Sequence, residues 1–238
     1  MSSIVYNGHD FSPYVSAELV EPAGHALSPR TLAVPGRPGA VLLGSELPPR
    51  VFRVRLFMDA GISLGADERS EIRHELYGWL CAPDGAELEL PGEPGLTWRD
   101  AVVTDASGWD SLFEDGSCEV EFTCLDPVAY GDEVTSAGTA LTVDGTWATW
   151  PVVTLTALAG DSVKVADELG RYVLVERDFS VGDVVVMDFA AEAVAVEGAD
   201  ASADVAVEST LFSLDPGAHT LTFSGCSAHT VSWTERWL

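Results

Sequence analysis

The chain has 238 residues, 47% of them hydrophobic, and a formal net charge of −26 from 38 acidic and 12 basic residues. Its size and composition are typical of a folded protein with one large or two small domains, and they argue against a disordered chain. A groove that grips nucleic acid needs clusters of Lys and Arg, which are missing, and no apolar run reaches the roughly 18 residues of a membrane span.

The N-terminal stretch MSSIVYNGHDFS lacks the basic and apolar regions of a signal peptide, so we expect a protein that is made and kept in the cytosol or released by lysis. The four cysteines are scattered and form no C-x-x-C pair: Cys81, Cys118, Cys124 and Cys226. This spacing predicts buried free thiols, and we expect neither a metal site nor a cofactor.

The first distinctive element is TLAVPGRPGAVLLG, residues 31–44, in which two apolar runs flank a short turn. The turn consists of Pro35, Gly36, Arg37, Pro38 and Gly39. Proline restricts φ and glycine supplies positive φ, so the stretch predicts a stiff hairpin tip. It also places a cation at the tip of a very acidic protein.

Two later stretches alternate apolar and polar residues with a period of two, at 52–58 and at 118–124. Both predict strands with one buried face. Between them, residues 67–80 have apolar residues at i, i+4, i+7 and i+8, which predicts one amphipathic helix. We expect Leu76 and Trp79 on its apolar face to be buried.

The C-terminal half contains short β runs separated by Gly, Asp and Pro every eight to twelve residues or so, which is typical of an antiparallel sandwich or barrel. Turn residues at 126–150 suggest a boundary. We therefore expect a mainly β protein with an N-terminal β domain at 1–130, sandwich- or barrel-like, and a C-terminal β-sandwich at 135–238. The last strand, around Val231, fits either domain.

Motifs for enzymatic chemistry are weak. The stretch GISLG matches a nucleophile elbow around Ser63, but a serine hydrolase also needs a parallel α/β sheet, and the strands that follow read as antiparallel. The stretch RHELYG has Gly78 where a zincin needs its second His. We expect no catalytic residues, and a hydrolase built around Ser63 remains only a third hypothesis.

A carbohydrate-binding β-sandwich that contacts the host cell wall is the alternative function. Exposed aromatic side chains often form stacking platforms for ligands. The candidates are Trp98, Trp109, Trp147, Trp150, Trp233 and Trp237. Packing in the core is the competing explanation for the same residues.

Seven short motifs occur in a fixed order along the chain: YNGHDFSPYV, VPGRPG, RVFRVRLFM, LYGWL, CEVEFTCLDPVAYG, GTWATWPVVTLT and LFSLDPGAHTLTFSG. In this order they resemble the distal tail proteins (Dit) of long-tailed bacteriophages over nearly the whole chain. The family commonly has an acidic residue where Pro38 stands and an Asn where His219 stands.

The resemblance implies an N-terminal ring-forming domain with one helix and a galectin-like C-terminal sandwich. It also implies a hexameric ring at the virion tail tip, assembled in the host cytoplasm. The implied partners are further copies of the chain, the major tail tube protein, the tail-associated tip protein and a receptor-binding protein, with no membrane contact. Sugar binding does not carry over, because WTERW does not reproduce the galectin W-x-x-E-x-R pattern.

In such a ring, residues 35–39 would form an interface, with Arg37 pairing with a carboxylate of a neighbour or of the adjoining ring. Genome DNA would pass through the bore without specific binding. Carboxylates there would repel phosphates and let the DNA slide. A uniformly acidic surface that serves solubility is the competing explanation of the charge.

Overall fold

The computed structural model describes residues 3–21, 24, 26–58 and 65–238. The chain divides into two compact units. The N-terminal unit is Met1–Tyr130 with Leu238, and the C-terminal unit is Gly131–Trp237. Both are built mainly of antiparallel strands, so the predicted mainly β class is confirmed.

The N-terminal unit contains most of the helical structure among the described residues. Its elements are β1 (Val5–Tyr6), β2 (His9–Asp10), β3 (Val15–Glu21), β4 (Ser28–Leu32), β5 (Val41–Glu46), β6 (Arg50–Met58), α1 (Ala66–Leu80), β7 (Ala86–Glu89), β8 (Thr97–Asp105), α2 (Ser111–Glu114), β9 (Ser117–Cys124) and the first two residues of β10 (Ala129–Ser136).

The two alternating stretches of the sequence become neighbouring strands. β6 lies between β3 and β9, and its register with β9 places Phe52 opposite Phe122 and Val54 opposite Val120. All four of these side chains are fully buried. β8 follows β9 in the sheet, and β7, β1 and β2 continue it on the other side of β8.

Helix α1 lies close to the range that the apolar spacing predicts. Glu68 accepts a hydrogen bond from the Gly65 amide at 3.1 Å in the first turn, where the helix dipole favours negative charge. Leu76 is fully buried, as expected. Trp79 is only half-buried, which corrects the expectation of a buried side chain. Its ring stacks on that of His9 and meets the ring of Phe11 edge-on.

The C-terminal unit is a β-sandwich. Its elements are the rest of β10, β11 (Ala140–Val143), β12 (Val152–Ala157), β13 (Gly160–Ala166), β14 (Tyr172–Phe179), β15 (Val184–Asp188), β16 (Ala193–Val196), β17 (Ala199–Asp200), a 3₁₀ turn (Ser202–Asp204), β18 (Gly217–Thr220), β19 (Thr222–Ser224) and β20 (Cys226–Trp237).

One layer of the sandwich has the order β17-β16-β15-β12-β20, and the other contains β14-β13-β19 and the pair β11-β18. The inward side chains of both layers form one core cluster, to which β12 contributes Val153 and Leu155 and β13 contributes Val163 and Val165. The last strand belongs to this unit, because Val231 of β20 lies opposite Val153.

Two carboxylates of the C-terminal unit are held by directed hydrogen bonds. Buried Glu235 accepts from the Gly145 amide at 2.7 Å and from the indole N–H of Trp233 at 2.8 Å. Partial burial raises the pKa of Glu168, but hydrogen bonds from the Thr220 amide and from His219 outweigh it. The pKa of Glu168 is therefore lowered.

Candidate interaction site

The hairpin of residues 28–46, called the arm below, forms a two-stranded sheet of its own. β4 and β5 pair with each other, with Thr31 opposite Leu42 and Leu32 opposite Val41. No other described strand joins this sheet. A two-stranded hairpin is at best marginally stable alone in water, so the arm has the structure of an element that needs a contact surface.

The arm exposes large apolar side chains. Leu42 and Leu43 are 61% and 65% exposed, Leu32 is 52% exposed and Val34 is 40% exposed. Because Leu42 and Leu43 are adjacent in a strand, they point to opposite faces, and both faces of the hairpin are apolar. Contiguous exposed apolar surface of this kind marks interaction sites.

The tip of the arm is a tight turn. The carbonyl oxygen of Val34 accepts a hydrogen bond from the Arg37 amide at 3.1 Å, and Gly36 has a φ of 81°. Proline at the second position and a positive φ at the third define a type II turn, which only glycine adopts easily at that third position. The turn holds Arg37 at its fourth position, exposed to solvent.

Arg37 differs from the other basic side chains in having no partner within the described part of the chain. Six arginines form ion pairs: Arg30 with Glu46, Arg53 with Glu121, Arg55 with Glu119, Arg73 with Asp110, Arg171 with Asp167 and Arg177 with Asp204. The remaining partners are aromatic rings or carbonyls, for Arg50, Arg99, Lys164, Arg69 and Arg236.

The arm is anchored where it enters β6. The Arg50 guanidinium lies 4.8 Å from the ring centroid of Phe52 and 4.6 Å from that of Trp98. Burial between these rings lowers the pKa of Arg50. The start of β6, four residues after the arm, is therefore packed into the N-terminal unit, whereas the strands and tip of the arm are largely exposed.

The residues considered for other functions do not converge on a site. Ser63 lies outside the described residues. His219, which follows Ser63 in the chain as a hydrolase base would, is engaged with Glu168 and the Asp215 carbonyl in the C-terminal unit. Within the described ranges, no three His, Cys, Asp or Glu side chains are arranged to hold a metal ion, and no helix is long and apolar enough to cross a membrane.

Three of the six tryptophans considered as sugar platforms are core residues. Trp98, Trp109 and Trp233 are 2%, 8% and 4% exposed, respectively, whereas Trp147 and Trp150 are about two-fifths exposed. Trp147 forms an isolated bridge with Arg236 and does not line a cleft with Trp150 among the described cavities. This distribution favours the packing explanation for three of the candidates.

The sequence placed the cation on a stiff tip between two apolar runs, but it did not show that these runs are exposed. The signal was present as consecutive Val41, Leu42 and Leu43, which a half-buried strand does not need. In the sequence this run is indistinguishable from a strand buried on both faces. Only the absence of covering elements in the structure identifies it as an exposed surface.

Residues 144–237 match the family model described as "Siphovirus-type tail component, C-terminal domain". No curated protein matches the chain in sequence. Among solved structures, the Dit protein of phage SPP1 matches with a TM-score of 0.79 and 20% identity over 100% of both chains. Its published description calls it a paradigm of the hub adsorption apparatus in phages that infect Gram-positive bacteria. The similarity shows that the two chains share a fold.

Two structures of the phage P2 baseplate in its activated conformation, with Ca and with Sr, match at TM-scores of 0.48 and 0.47. Both have 10% identity and cover 92% of this chain and 90% of the matched chain. At this level the baseplate structures add nothing to the fold assignment.

Proposed function

We propose that the protein is a structural, non-enzymatic hub of a bacteriophage tail tip, because residues 144–237 match the siphovirus-type tail component model and the whole chain shares the fold of the SPP1 Dit protein. The family match carries the proposal, because it relates most of the C-terminal unit to tail components by sequence. The protein would reside in the virion, after assembly in the host cytoplasm.

We propose further that the N-terminal unit closes a hexameric ring. A contact between two different surfaces of the same subunit generates a ring when its rotation closes. The arm supplies one such surface, since it is apolar on both faces and has an unpartnered cation among the described residues at its tip. Residues 35–39 then form part of the interface, and the stiff turn reduces the entropy lost on docking.

The ring would join the major tail tube protein on one side to the tail-associated tip protein on the other, and a receptor-binding protein is a further partner. Genome DNA would pass through it. The net charge of −26 divides equally between residues 1–130 and 131–238, so a ring built from the N-terminal unit is strongly acidic. Carboxylates in the bore would repel the DNA phosphates.

Charge reversal at the tip tests the ring. Arg37→Glu is expected to shift the assembled protein toward monomer in native mass spectrometry over a concentration series, with little change in melting temperature, because Arg37 is exposed. Arg177→Glu, the same change of charge in the C-terminal unit, is the matched control and should leave assembly intact. Normal rings and normal tails with Arg37→Glu would show that the tip has no docking role.

Cryo-electron microscopy of the phage tail tests the hub and the bore. The protein should occupy a ring between tube and tip, with Asp and Glu side chains facing the channel. Density for the protein elsewhere in the virion contradicts the hub. A neutral or basic bore, with carboxylates concentrated on the outside, contradicts the DNA-repulsion explanation and leaves solubility as the reason for the charge.

A further inference from the structure

The N-terminal unit contains an open strand edge beside a cavity. β9 pairs with β8 along one edge, from Ala101 to Asp105. On the other edge, β7 begins at Ala86, opposite Ala101, and covers β8 only back toward Trp98. Among the described strands, none pairs with residues 102–105 on this second edge. Their backbone groups are therefore available to an added strand.

A groove of about 530 Å³ lies along this open edge. Its lining combines β8 with the end of α1 and the turn that follows, and includes Tyr77, Leu80, Cys81, Val102, Val103 and Asp105. A second cavity of about 340 Å³ adjoins it at Tyr77 and extends to His74 and Trp109. Most of the lining residues are apolar, but polar and apolar atoms contribute almost equally to the exposed lining of the groove, and Tyr77 is 55% exposed.

Beside the second cavity, one buried donor has no acceptor among the described residues. The indole N–H of Trp109 is buried and has no acceptor among the described residues, and the whole residue is only 8% exposed. An unpaired buried donor costs free energy, and native structures almost always pair such groups. A chain lying in the groove would bring carbonyl oxygens to the open edge of β8.

The exposed carboxylate of Asp105 stands at the rim of the groove. It accepts a hydrogen bond from the Ser107 amide at 2.8 Å, and the nearby charge of Arg53, which pairs with Glu121, also acts on it. Hydrogen bonds from Ser107 lower the pKa of Asp105, so the group is ionised at neutral pH. The groove therefore offers a lining of mixed polarity, an open strand edge and a negative rim.

We propose that this groove receives the arm of a second copy of the chain, one strand of which adds to β8 while Arg37 approaches Asp105. The arm has two open strand edges and two apolar faces. It also carries Arg30 and Arg37 against the single Glu46, so it is net positive in a protein of charge −26. Strand addition supplies backbone hydrogen bonds, and opposite charges set the register.

This inference rests on the proposed ring, since it names the surface that the arm of the neighbour contacts. It also explains how a hairpin that is marginal alone becomes stable. The added strand would extend the sheet of one subunit into the next and would cover Leu42 or Leu43 on the floor of the groove. The arm and the groove are different surfaces, as ring closure requires.

Cys81 is exposed, so the prediction of a buried thiol is wrong for this residue, and its place in the groove makes the inference testable. Three variants place a cysteine on the arm: Leu32→Cys, Val34→Cys and Leu42→Cys. Under mild oxidation, at least one should form a ladder of disulfide-linked oligomers on a non-reducing gel. The ladder should disappear when Cys81→Ser is added. Val207→Cys, at a 99% exposed site of the C-terminal unit, should give no ladder through Cys81.

A charge exchange provides the second readout. Arg37→Glu and Asp105→Arg should each weaken self-association by about tenfold, which corresponds to about 1.4 kcal/mol. The double variant should recover most of the loss. If either substitution weakens self-association only by disturbing the fold, combining the two should not restore it.

The outcomes separate the inference from the proposed function. A ring that forms normally, yet gives no Cys81-dependent ladder with any arm variant and no charge-exchange recovery, overturns the arm-in-groove contact and leaves the hub standing. Protection of Cys81 only by a different tail protein overturns it as well. Absence of any ring, in solution and in the tail, overturns both.

Discussion

Gly225→Ala is expected to destabilise the C-terminal unit strongly. Gly225 lies between β19 and β20, where the chain passes from one layer of the sandwich to the other. Its φ is +76°, and a Cβ built there would lie 2.2 Å from the carbonyl oxygen of Ser162 and 3.1 Å from the Cα of Val163. The Gly225 carbonyl also accepts a hydrogen bond from the Leu158 amide at 2.8 Å, which further restricts movement of the turn.

The magnitude follows from two separable costs. A non-glycine residue in the left-handed region costs about 1–2 kcal/mol. Gly198 isolates this term, because its φ is +77° and nothing lies within 4 Å of a Cβ built there. Forcing a methyl group against packed backbone adds about 1–3 kcal/mol. We therefore expect about 1–2 kcal/mol for Gly198→Ala and about 2–5 kcal/mol for Gly225→Ala.

The assay is urea unfolding of the full chain, followed by hydrogen exchange of peptides from the C-terminal unit so that the two units are read separately. A free-energy difference of about 2 kcal/mol between the variants corresponds to roughly 8–16 °C in melting temperature for a domain of this size. Equal losses for Gly198→Ala and Gly225→Ala would refute the argument, because the backbone contact would then contribute nothing.

Three further predictions concern burial and protonation. Leu76→Ala should cost about 2–5 kcal/mol of N-terminal unit stability, measured by urea unfolding, because the side chain is fully buried. Burial raises the pKa of Cys118 and Cys124 to about 12. A thiol reagent at pH 8 should therefore label exposed Cys81 quickly, and Cys118 and Cys124 only after unfolding. Equal labelling rates for the three thiols in the native protein would contradict this prediction. Because the pKa of Glu168 is lowered in the folded state, ionised Glu168 stabilises the fold above its unfolded pKa of about 4.3, and this stabilisation is lost as the pH falls through the folded pKa. The difference in unfolding free energy between the wild type and Glu168→Gln should therefore narrow from pH 6 to pH 3. An unchanged difference would contradict a lowered pKa for Glu168.

The sequence by itself determined the local elements. Residues 52–58 and 118–124 alternate because successive side chains of a strand point to opposite faces, and the structure pairs them as β6 and β9. The helix follows from its 3.6-residue period, and Pro35-Gly36 specifies the type II turn through steric limits on φ. Each of these features depends on residues close together in the chain.

Only the tertiary structure decided which surfaces remain open. Leu42 and Leu43 look like core residues in the sequence, and they are exposed because no other described strand covers the arm. Trp79 lies on the apolar stripe of α1 but is half-buried. Its ring contacts are with His9 and Phe11, about 70 residues earlier in the chain, so the period of the helix does not determine how far it is covered. The open edge of β8 depends on where β7 begins, and the isolation of Arg37 depends on where every carboxylate lies. Such pairings are non-local, so a period or a turn signal in the sequence does not encode them.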